Sequence, residues 1–197
     1  FHFGESLLHP RISEMAGYAS RKGLNMTLSV NAPELTPSLL DSLVASGPLR
    51  IIISFDGYDE KSYKEIRGSA ADFEKASRNL EYAASRVRSG LGNSRLSLRI
   101  IRLNSNAAHI DGFKKRWEAL GLPVEEREFF PWTEKELTSL GIVKKYPPFM
   151  PCPFPWQYLV VQWDGTVVPC CRDYNGVNPM GNVRAASLKE IWNSAQY

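Results

Sequence analysis

The sequence predicts an α/β protein in which parallel β-strands alternate with amphipathic helices. Three observations carry this prediction. Short runs rich in β-branched and aromatic residues alternate with segments of helical periodicity as far as residue 130. The segment Leu49–Phe55 is largely apolar, which is typical of a strand buried on both faces. Glycine or proline marks many of the segment boundaries. Strands and helices that alternate in this way form βαβ units with parallel strands.

The first part of the chain contains two predicted strands and one helix. Phe1–Phe3 is strand-like. A helix is predicted over Pro10–Lys22, because proline suits a first helical turn, apolar residues recur at helical spacing and Gly23 ends the pattern. Leu24–Val30 is then the next strand.

The middle of the chain contains three predicted helices around one strand. Thr36–Gly47 carries its leucines on one side and ends at glycine, so it is predicted to be a helix that leads into the strand Leu49–Phe55. A short helix is expected around Asp59–Ile66. A long one is expected around Ala71–Val87, where five apolar positions share one face.

The remaining predicted elements complete the alternation. A turn at Gly90–Asn93 leads into the strand Arg95–Leu103. Apolar residues at helical spacing then predict a helix over Ile110–Gly121, and Val124–Phe130 is a further strand. We expect residues 1–132 to form the first domain, the proline-containing residues 133–151 to be a linker, and residues 152–197 to form a second small domain.

Composition excludes two classes of partner. The formal net charge is +3, with acidic and basic residues interspersed, which argues against nucleic acid as the main partner. No apolar run approaches the roughly 20 residues that a membrane helix needs, so no membrane association is expected. A hydrophobic content of 43% suits one good core with a small appendage. We expect a soluble, cytoplasmic protein.

The cysteines lie together in the second domain. Leu159–Trp163 and Thr166–Val168 are predicted to be the strands of a hairpin, joined by a two-residue turn at Asp164-Gly165. A hairpin brings its flanking segments side by side, so the cysteines that precede and follow it can approach each other. The three cysteines are Cys152, Cys170 and Cys171.

The spacing of these cysteines leaves several interpretations open. They can be buried small hydrophobic residues, or part of a metal site. A zinc site normally shows paired ligands on both sides, and an iron–sulfur cluster normally uses four thiolates. A disulfide framework is disfavoured, because the number of cysteines is odd and the chain is long enough for a real core.

The candidate binding residues follow the predicted strands. In folds of this kind, ligands bind at the carboxyl ends of the parallel strands. The segments that follow strands are Gly4-Glu5, Asn31-Ala32, Ser54-Phe-Asp56-Gly57, Asn104 and Pro131-Trp132.

Several of these segments resemble motifs of one enzyme family. Phe3-Gly4-Glu5-Ser6, followed by Leu-Leu-His-Pro10, is similar to the Gly-Gly-Glu-Pro motif of radical S-adenosylmethionine (SAM) enzymes. Ser29-Val30-Asn31-Ala32 falls where the family commonly has Thr-Asn-Gly. Ile53-Ser54-Phe55-Asp56-Gly57 resembles its Ser-x-Asp-Gly strand end, and Tyr63-Lys-Glu-Ile-Arg67-Gly68 resembles the segment that often follows.

The second domain resembles the auxiliary domains of the same enzymes. Cys152, twelve residues, Gly165, four residues and Cys170 fit the start of a SPASM or twitch domain. Gly181-Asn182-Val183 and Ser187-Leu-Lys-Glu-Ile-Trp192 match its continuation. We expect the Cys-x3-Cys-x2-Cys loop of the radical cluster to precede Phe1 in a longer protein, and the remaining auxiliary cysteines to follow Tyr197.

The resemblance implies a fold and an activity. The fold would be a partial parallel (β/α)6 barrel with a small hairpin-plus-helix auxiliary domain. The activity would be formation of a 5′-deoxyadenosyl radical that abstracts hydrogen from a peptide or a small molecule. The implied cofactors are SAM, a radical 4Fe-4S cluster and an auxiliary 4Fe-4S cluster, and the implied partner is a reductant such as flavodoxin or ferredoxin. The alternative is a non-catalytic metal-binding or degenerate interaction module.

The resemblance also assigns residues to the SAM site. Glu5, with Gly4 permitting close backbone approach, is expected to bind the SAM ammonium group. Ser54 is expected to bind the ribose or carboxylate, with Asn31 and Asp56 at the same strand ends. Each has a structural alternative: a helix N-terminal acid for Glu5, a polar strand end for Ser54, a turn residue for Asn31, and a turn or helix cap for Asp56.

The remaining assignments are less specific. Arg99 shares a strand face with Ser97 and Ile101, so it is a candidate for the SAM carboxylate or an anionic substrate, or else a solvated or paired arginine. Cys152, Cys170 and Cys171 are the metal-ligand candidates, although adjacent strand residues point to opposite faces, which favours packing for Cys171. No catalytic residue is assigned. Trp156, Tyr158 and Trp163 are expected to cover the hairpin and shield a cluster from water.

Overall fold

The computed structural model describes residues 4–129 and 152–197. The first of these ranges is built on a four-stranded parallel sheet in the order β1-β2-β3-β4. The strands are β1 (Met26–Asn31), β2 (Leu49–Ser54), β3 (Arg95–Arg102) and β4 (Val124–Glu128). The prediction of an α/β fold with a parallel sheet is confirmed. The predicted strand Phe1–Phe3, Phe130, the segment Pro131-Trp132 and the predicted linker 133–151 lie outside the described residues.

Five α-helices accompany the sheet, close to the positions that the periodicity predicts. They are α1 (Ile12–Arg21), α2 (Pro37–Ser46), α3 (Glu60–Arg67), α4 (Phe73–Ser89) and α5 (Ile110–Ala119). Side-chain caps fix three of the starts, because Thr36, Asp59 and Asp72 each accept a hydrogen bond from a backbone N–H in the first turn.

The strands follow one another across the sheet in chain order. Right-handed crossovers that always step in the same direction place every helix on the same face, as in an arc of a (β/α) barrel. The core agrees, because alternate strand residues such as Val30, Ile53 and Leu98 are buried in one cluster with helix residues such as Leu80 and Trp117. This helix-covered face supplies the main hydrophobic core.

The opposite face of the sheet is largely polar. It carries Ser29, Ser97 and Arg99, whose neighbours along each strand belong to the core cluster, and Glu125, which pairs in register with Arg99. Ile52 is buried on this face yet lies outside that cluster. In a singly wound barrel arc, the face away from the helices is the inner face. The predicted alternation along the third strand is therefore confirmed.

Residues 152–197 form a small antiparallel sheet with one short helix. Its strands are β5 (Val160–Val161), β6 (Thr166–Val168) and β7 (Gly181–Asn182), and its helix is α6 (Leu188–Trp192). A capping box begins α6, with Ser187 and Glu190 bonding each other's backbone N–H groups. The chain divides into two compact units, which correspond to the two described ranges.

The predicted hairpin is present, but its turn is longer than expected. Val160 pairs with Val168, and the Gln162 N–H donates to the Thr166 carbonyl, so the loop contains Trp163, Asp164 and Gly165. The Gly165 N–H donates to the Gln162 carbonyl, and Gly165 has a φ of 88°. A type I turn followed by a left-handed glycine is the common three-residue hairpin loop. The expected two-residue turn is wrong by one residue.

Within the described ranges, no helix has both the length and the apolar character needed to cross a membrane.

Candidate functional site

Three of the predicted cofactor residues form one row across the sheet. Asn31 pairs in register with Ser54, Ser54 with Arg99, and Arg99 with Glu125. Asn31 and Ser54 are the last residues of β1 and β2, so the row lies at or near the carboxyl edge. All four side chains are half-buried on the inner face. The register therefore brings together residues that are far apart in sequence, at the edge where parallel sheets bind ligands.

Glu5 is fixed to the same edge by both of its carboxylate oxygens. One oxygen accepts a hydrogen bond from the Leu7 N–H at 2.9 Å, which caps the 3₁₀ turn Ser6–Leu8. The other accepts from the Asn31 N–H at 2.6 Å. The structural role expected for Glu5 is thus present, and a second one ties it to the end of β1. A carboxylate has about four lone-pair sites, so two backbone donors leave room for an ammonium donor.

Gly4 precedes Glu5 in a conformation that favours glycine. Its φ is 86°, and a Cβ atom added there would meet nothing within 4 Å. Gly4 is exposed, so the backbone beside Glu5 is open to close approach.

Asp56 follows the end of β2, and both of its carboxylate oxygens contact other groups of the protein. Its side chain is 5% exposed, and one oxygen is 2.6 Å from Arg67 Nη2. The other oxygen accepts from the Ile101 N–H at 3.0 Å. The N-cap of α3 is Asp59, so Asp56 is not that cap. Arg67 also donates from Nη1 to the Asn31 side-chain oxygen at 2.9 Å, which joins Asp56 to Asn31.

Close packing explains the rest of the segment after β2. A Cβ atom at Gly57 would lie 2.5 Å from the backbone of Tyr63, so only glycine lets this loop contact α3. The Tyr63 ring is buried against Phe55, with ring centroids 5.0 Å apart. In the segment from Ser54 to Gly68, the end of β2 is therefore held against α3 by one glycine contact, one aromatic pair and one buried ion pair.

Asn106 holds the loop after β3 and was not singled out by the sequence. It is fully buried, its oxygen accepts from the Leu103 N–H at 2.9 Å, and its amide donates to the Ile101 carbonyl at 2.8 Å and the Asp56 carbonyl at 3.4 Å. The available signal was an asparagine shortly after a strand, a position where side chains often replace backbone partners.

Arg99 belongs to a charged cluster centred on Glu125, a second residue that sequence reasoning missed. Glu125 accepts from Ser97 Oγ at 2.6 Å, Arg99 Nη2 at 3.0 Å and Arg50 Nη2. Burial alone would raise the pKa of Glu125, but these hydrogen bonds outweigh it and lower the pKa to about 2. Arg99 is therefore a paired arginine, and its buried Nε has no hydrogen-bond partner among the described residues.

The cysteines of the small unit differ in exposure. Cys152 is exposed, whereas Cys170 and Cys171 are half-buried, and all three are free thiols. Burial raises the pKa of Cys171, and the neighbouring thiols of Cys170 and Cys152 raise it further. In residues 4–129 and 152–197, no three His, Cys, Asp or Glu side chains are arranged to hold a metal ion. The assignment of these cysteines as ligands stays a prediction.

The aromatic residues of the small unit do not cover the hairpin as expected. The Trp163 side chain is 96% exposed because it occupies the outer turn of the hairpin loop. Trp156 and Tyr158 are also exposed. The hairpin is supported instead from β7, where the Asn182 amide donates to the Asp164 carbonyl at 3.4 Å.

Comparison with known families matches both units. Residues 1–95 match the model of the radical SAM superfamily, and residues 152–197 match SPASM, an iron–sulfur cluster-binding domain.

Two curated relatives carry the description "AdoMet-dependent heme synthase". The protein from Methanosarcina barkeri is 33% identical over 78 residues, and that from Nitratidesulfovibrio vulgaris is 34% identical over 82 residues. These matches cover 40% and 42% of the chain, and 22% of each relative. The matched part is therefore about a fifth of the length of either relative.

Two solved structures of BtrN share the fold. One is a complex with AdoMet and 2-DOIA, with a TM-score of 0.51, 18% identity, and coverage of 99% of this chain and 61% of BtrN. The other is an open conformation, with a TM-score of 0.51, 15% identity, and coverage of 99% and 57%.

Proposed function

The chain belongs to the radical SAM superfamily and carries a SPASM domain, and on that premise we propose that the full-length protein generates a 5′-deoxyadenosyl radical that abstracts hydrogen from an organic substrate. The two curated relatives are haem synthases, which favours a small-molecule substrate over a peptide. The protein would act in the cytoplasm and receive electrons from a reductant such as flavodoxin or ferredoxin.

The observation that carries this proposal is the polar row at the carboxyl edge. Asn31, Ser54 and Arg99 are neighbours in register, and Glu5 is hydrogen-bonded to the first of them. Three motif residues, Glu5, Asn31 and Ser54, therefore lie at the edge where a singly wound α/β sheet binds its ligand, and Arg99 pairs with Ser54 beside them.

The residues at this edge suit the charged groups of SAM. SAM, when reduced at a bound 4Fe-4S cluster, supplies the radical chemistry. Glu5 would accept the ammonium group through its remaining lone pairs, beside the open backbone of Gly4. Asn31 and Ser54 would bond the ribose or the carboxylate, and the half-buried Arg99 would place positive charge near that carboxylate.

The small unit would hold an auxiliary 4Fe-4S cluster. Cys152, Cys170 and Cys171 are free thiols that precede and follow the hairpin. A 4Fe-4S cluster normally uses four thiolates, so these three would be a partial ligand set. Such a cluster would position the substrate or accept an electron after hydrogen abstraction.

Titration calorimetry with SAM tests the proposed site. The protein would be purified anaerobically with its iron, as the wild type, Glu5→Gln and Glu14→Gln. Loss of a charged hydrogen bond should raise the Kd of Glu5→Gln for SAM about tenfold or more. Glu14 is an exposed residue of α1 that pairs with Arg11 at 2.8 Å, so Glu14→Gln should bind like the wild type.

The non-catalytic alternative predicts a different result. A degenerate module would show no SAM binding in any of the three proteins. Wild-type binding that survives in Glu5→Gln would keep the family but reject Glu5 as the ammonium ligand.

A further inference from the structure

The side chain that joins the loops of the candidate site is Arg67, from the motif segment that follows the Ser-x-Asp-Gly strand end. Arg67 is the last residue of α3, and its side chain is 28% exposed. One guanidinium nitrogen, Nη2, is 2.6 Å from Asp56, and the other, Nη1, donates to the Asn31 side-chain oxygen at 2.9 Å. A planar guanidinium can hold two acceptors at a fixed angle, which an ammonium cannot do.

The contact with Asp56 fixes Arg67 in place. Asp56 is 5% exposed, and a buried carboxylate without a cationic partner is strongly destabilising. Its other oxygen accepts from the Ile101 N–H at 3.0 Å, and its backbone carbonyl accepts from the buried amide of Asn106. The guanidinium is therefore anchored to the strand ends of β2 and β3 through groups that have little freedom to move.

The contact with Asn31 links the anchored guanidinium to the candidate SAM site. The Asn31 side chain accepts from Arg67, and its backbone N–H donates to Glu5 at 2.6 Å. A continuous chain of hydrogen bonds thus runs from Ile101 through Asp56, Arg67 and Asn31 to Glu5. It joins the carboxyl-terminal parts of three parallel strands to the residue expected to bind the ammonium group.

We propose that Arg67 is a positioning residue of the SAM site, which holds Asn31 and, through it, Glu5 in the orientation that binds SAM. Asp56 serves the site through Arg67 and does not contact SAM itself. This inference rests on the proposed function, because it takes Glu5 and Asn31 to be SAM contacts.

The test compares Arg67→Gln and Arg67→Lys with a matched control, using SAM titration and thermal unfolding of the full-length, iron-loaded protein. The control is Arg86→Gln. Arg86 also pairs with an aspartate, at 2.8 Å from Asp41, and its side chain is 31% exposed, but the pair joins α4 to α2. Arg67→Gln should raise the Kd for SAM about tenfold or more, whereas Arg86→Gln should lower only the melting temperature.

Arg67→Lys separates positioning from folding. A lysine keeps a cation for Asp56 but offers a point charge in place of the planar fork. It should restore most of the melting temperature lost in Arg67→Gln while leaving the Kd for SAM raised. Equal SAM affinity in the wild type and both Arg67 variants would overturn the proposal.

A double-mutant cycle with Asn31→Ala tests the route of the effect. If Arg67 acts through Asn31, Arg67→Gln should add little to the Kd of Asn31→Ala. Fully additive effects on the Kd would contradict the route. Absence of SAM binding in the wild type would instead reject the proposed function, so the two failures are distinguishable.

Discussion

The two units of this chain are stabilised in different ways. In residues 4–129, apolar residues from four strands and the surrounding helices form one continuous core, with Leu40, Ile53, Leu80 and Leu98 fully buried. In residues 152–197, the buried hydrophobic residues are Val167, Val168 and Ile191. The first unit can fold on its own core. The second has too little apolar burial to offset the entropy of ordering its loops, and a bound metal is the usual remedy in such small domains.

The same contrast applies to the candidate sites. Glu5, Asn31 and Asp56 are held by backbone and ion-pair contacts that exist without a ligand. The cysteines are exposed or half-buried. The loop that follows Cys170 and Cys171 is held by local turn contacts, in which two backbone N–H groups donate to the Asp173 carboxylate. We expect the first site to be preorganised and the second to be completed by its cluster.

Removal of iron should have the largest effect, because it should destabilise the small unit and leave the parallel-sheet unit intact. Chelation should increase hydrogen exchange of the Met180 and Val183 amides about a hundredfold or more, because metal binding contributes the folding energy of the small unit. The Phe55 and Leu98 amides, which donate within the parallel sheet unit, should keep their protection. Hydrogen-exchange mass spectrometry at the residue level provides the measurement. Full protection of Met180 in the iron-free protein would show that the small core is sufficient.

Truncation of the large core should have the next largest effect. Leu98 is fully buried in the central strand β3, so Leu98→Ala should reduce the free energy of unfolding by about 2–5 kcal/mol. The matched control is Leu8→Ala, at a side chain that is 69% exposed, with an expected change within about 0.5 kcal/mol. Chemical denaturation measures both. A loss in Leu98→Ala no larger than that in Leu8→Ala would contradict the assignment of the core.

The cluster around Glu125 should make the stability of the first unit depend on pH. Its pKa is about 2 in the folded protein, against 4.5 for the free side chain. The lowered pKa contributes roughly 3 kcal/mol to the free energy of unfolding. This contribution is fully present above about pH 4.5 and is lost as the pH falls towards 2. Denaturation at pH 6 and pH 3 measures how far the free energy of unfolding falls with pH. The fall should be smaller in Glu125→Gln than in the wild type. An identical fall in the two proteins would reject the cluster as its source.

Removal of a helix cap should have the smallest effect on stability, and the loss should be confined to the unit that contains the cap. Asp59 accepts from the Ser62 N–H at 2.8 Å at the start of α3, and Ser187 Oγ accepts from the Glu190 N–H at 3.3 Å at the start of α6. Each alanine substitution should cost about 1 kcal/mol. The loss should appear in global unfolding for Asp59→Ala, and only in hydrogen exchange of residues 188–197 for Ser187→Ala. A global loss from Ser187→Ala would mean that the two units unfold together.

The sequence predicts the elements better than the contacts between them. Periodicity identifies the strands and helices because each depends on neighbours within a few residues. Glu125 was missed because the charged run in β4 resembles a solvated strand, and its pairing with Arg99 depends on the register of β3 and β4. The hairpin turn was predicted one residue too short, since an Asp-Gly pair also suits the last two positions of a three-residue loop.

The site residues show the same limit. The motifs identified Glu5, Asn31 and Ser54 as residues at strand ends. The pairing of Asn31 with Ser54 required the parallel register, and the hydrogen bond from Asn31 to Glu5 is a tertiary contact. Asp56 was indistinguishable from a ligand contact or a cap, because its burial against Arg67 is a tertiary contact. Asn106 was hidden for the same reason: in sequence, an asparagine after a strand predicts only a turn.

Formation of 5′-deoxyadenosine tests the central claim most directly. The full-length protein would be purified anaerobically, its iron and sulfide quantified, and SAM added with and without dithionite. We expect roughly eight iron atoms per chain, about four for each of two clusters, and 5′-deoxyadenosine that forms only with the reductant. A protein that binds no iron and leaves SAM intact under these conditions would contradict it.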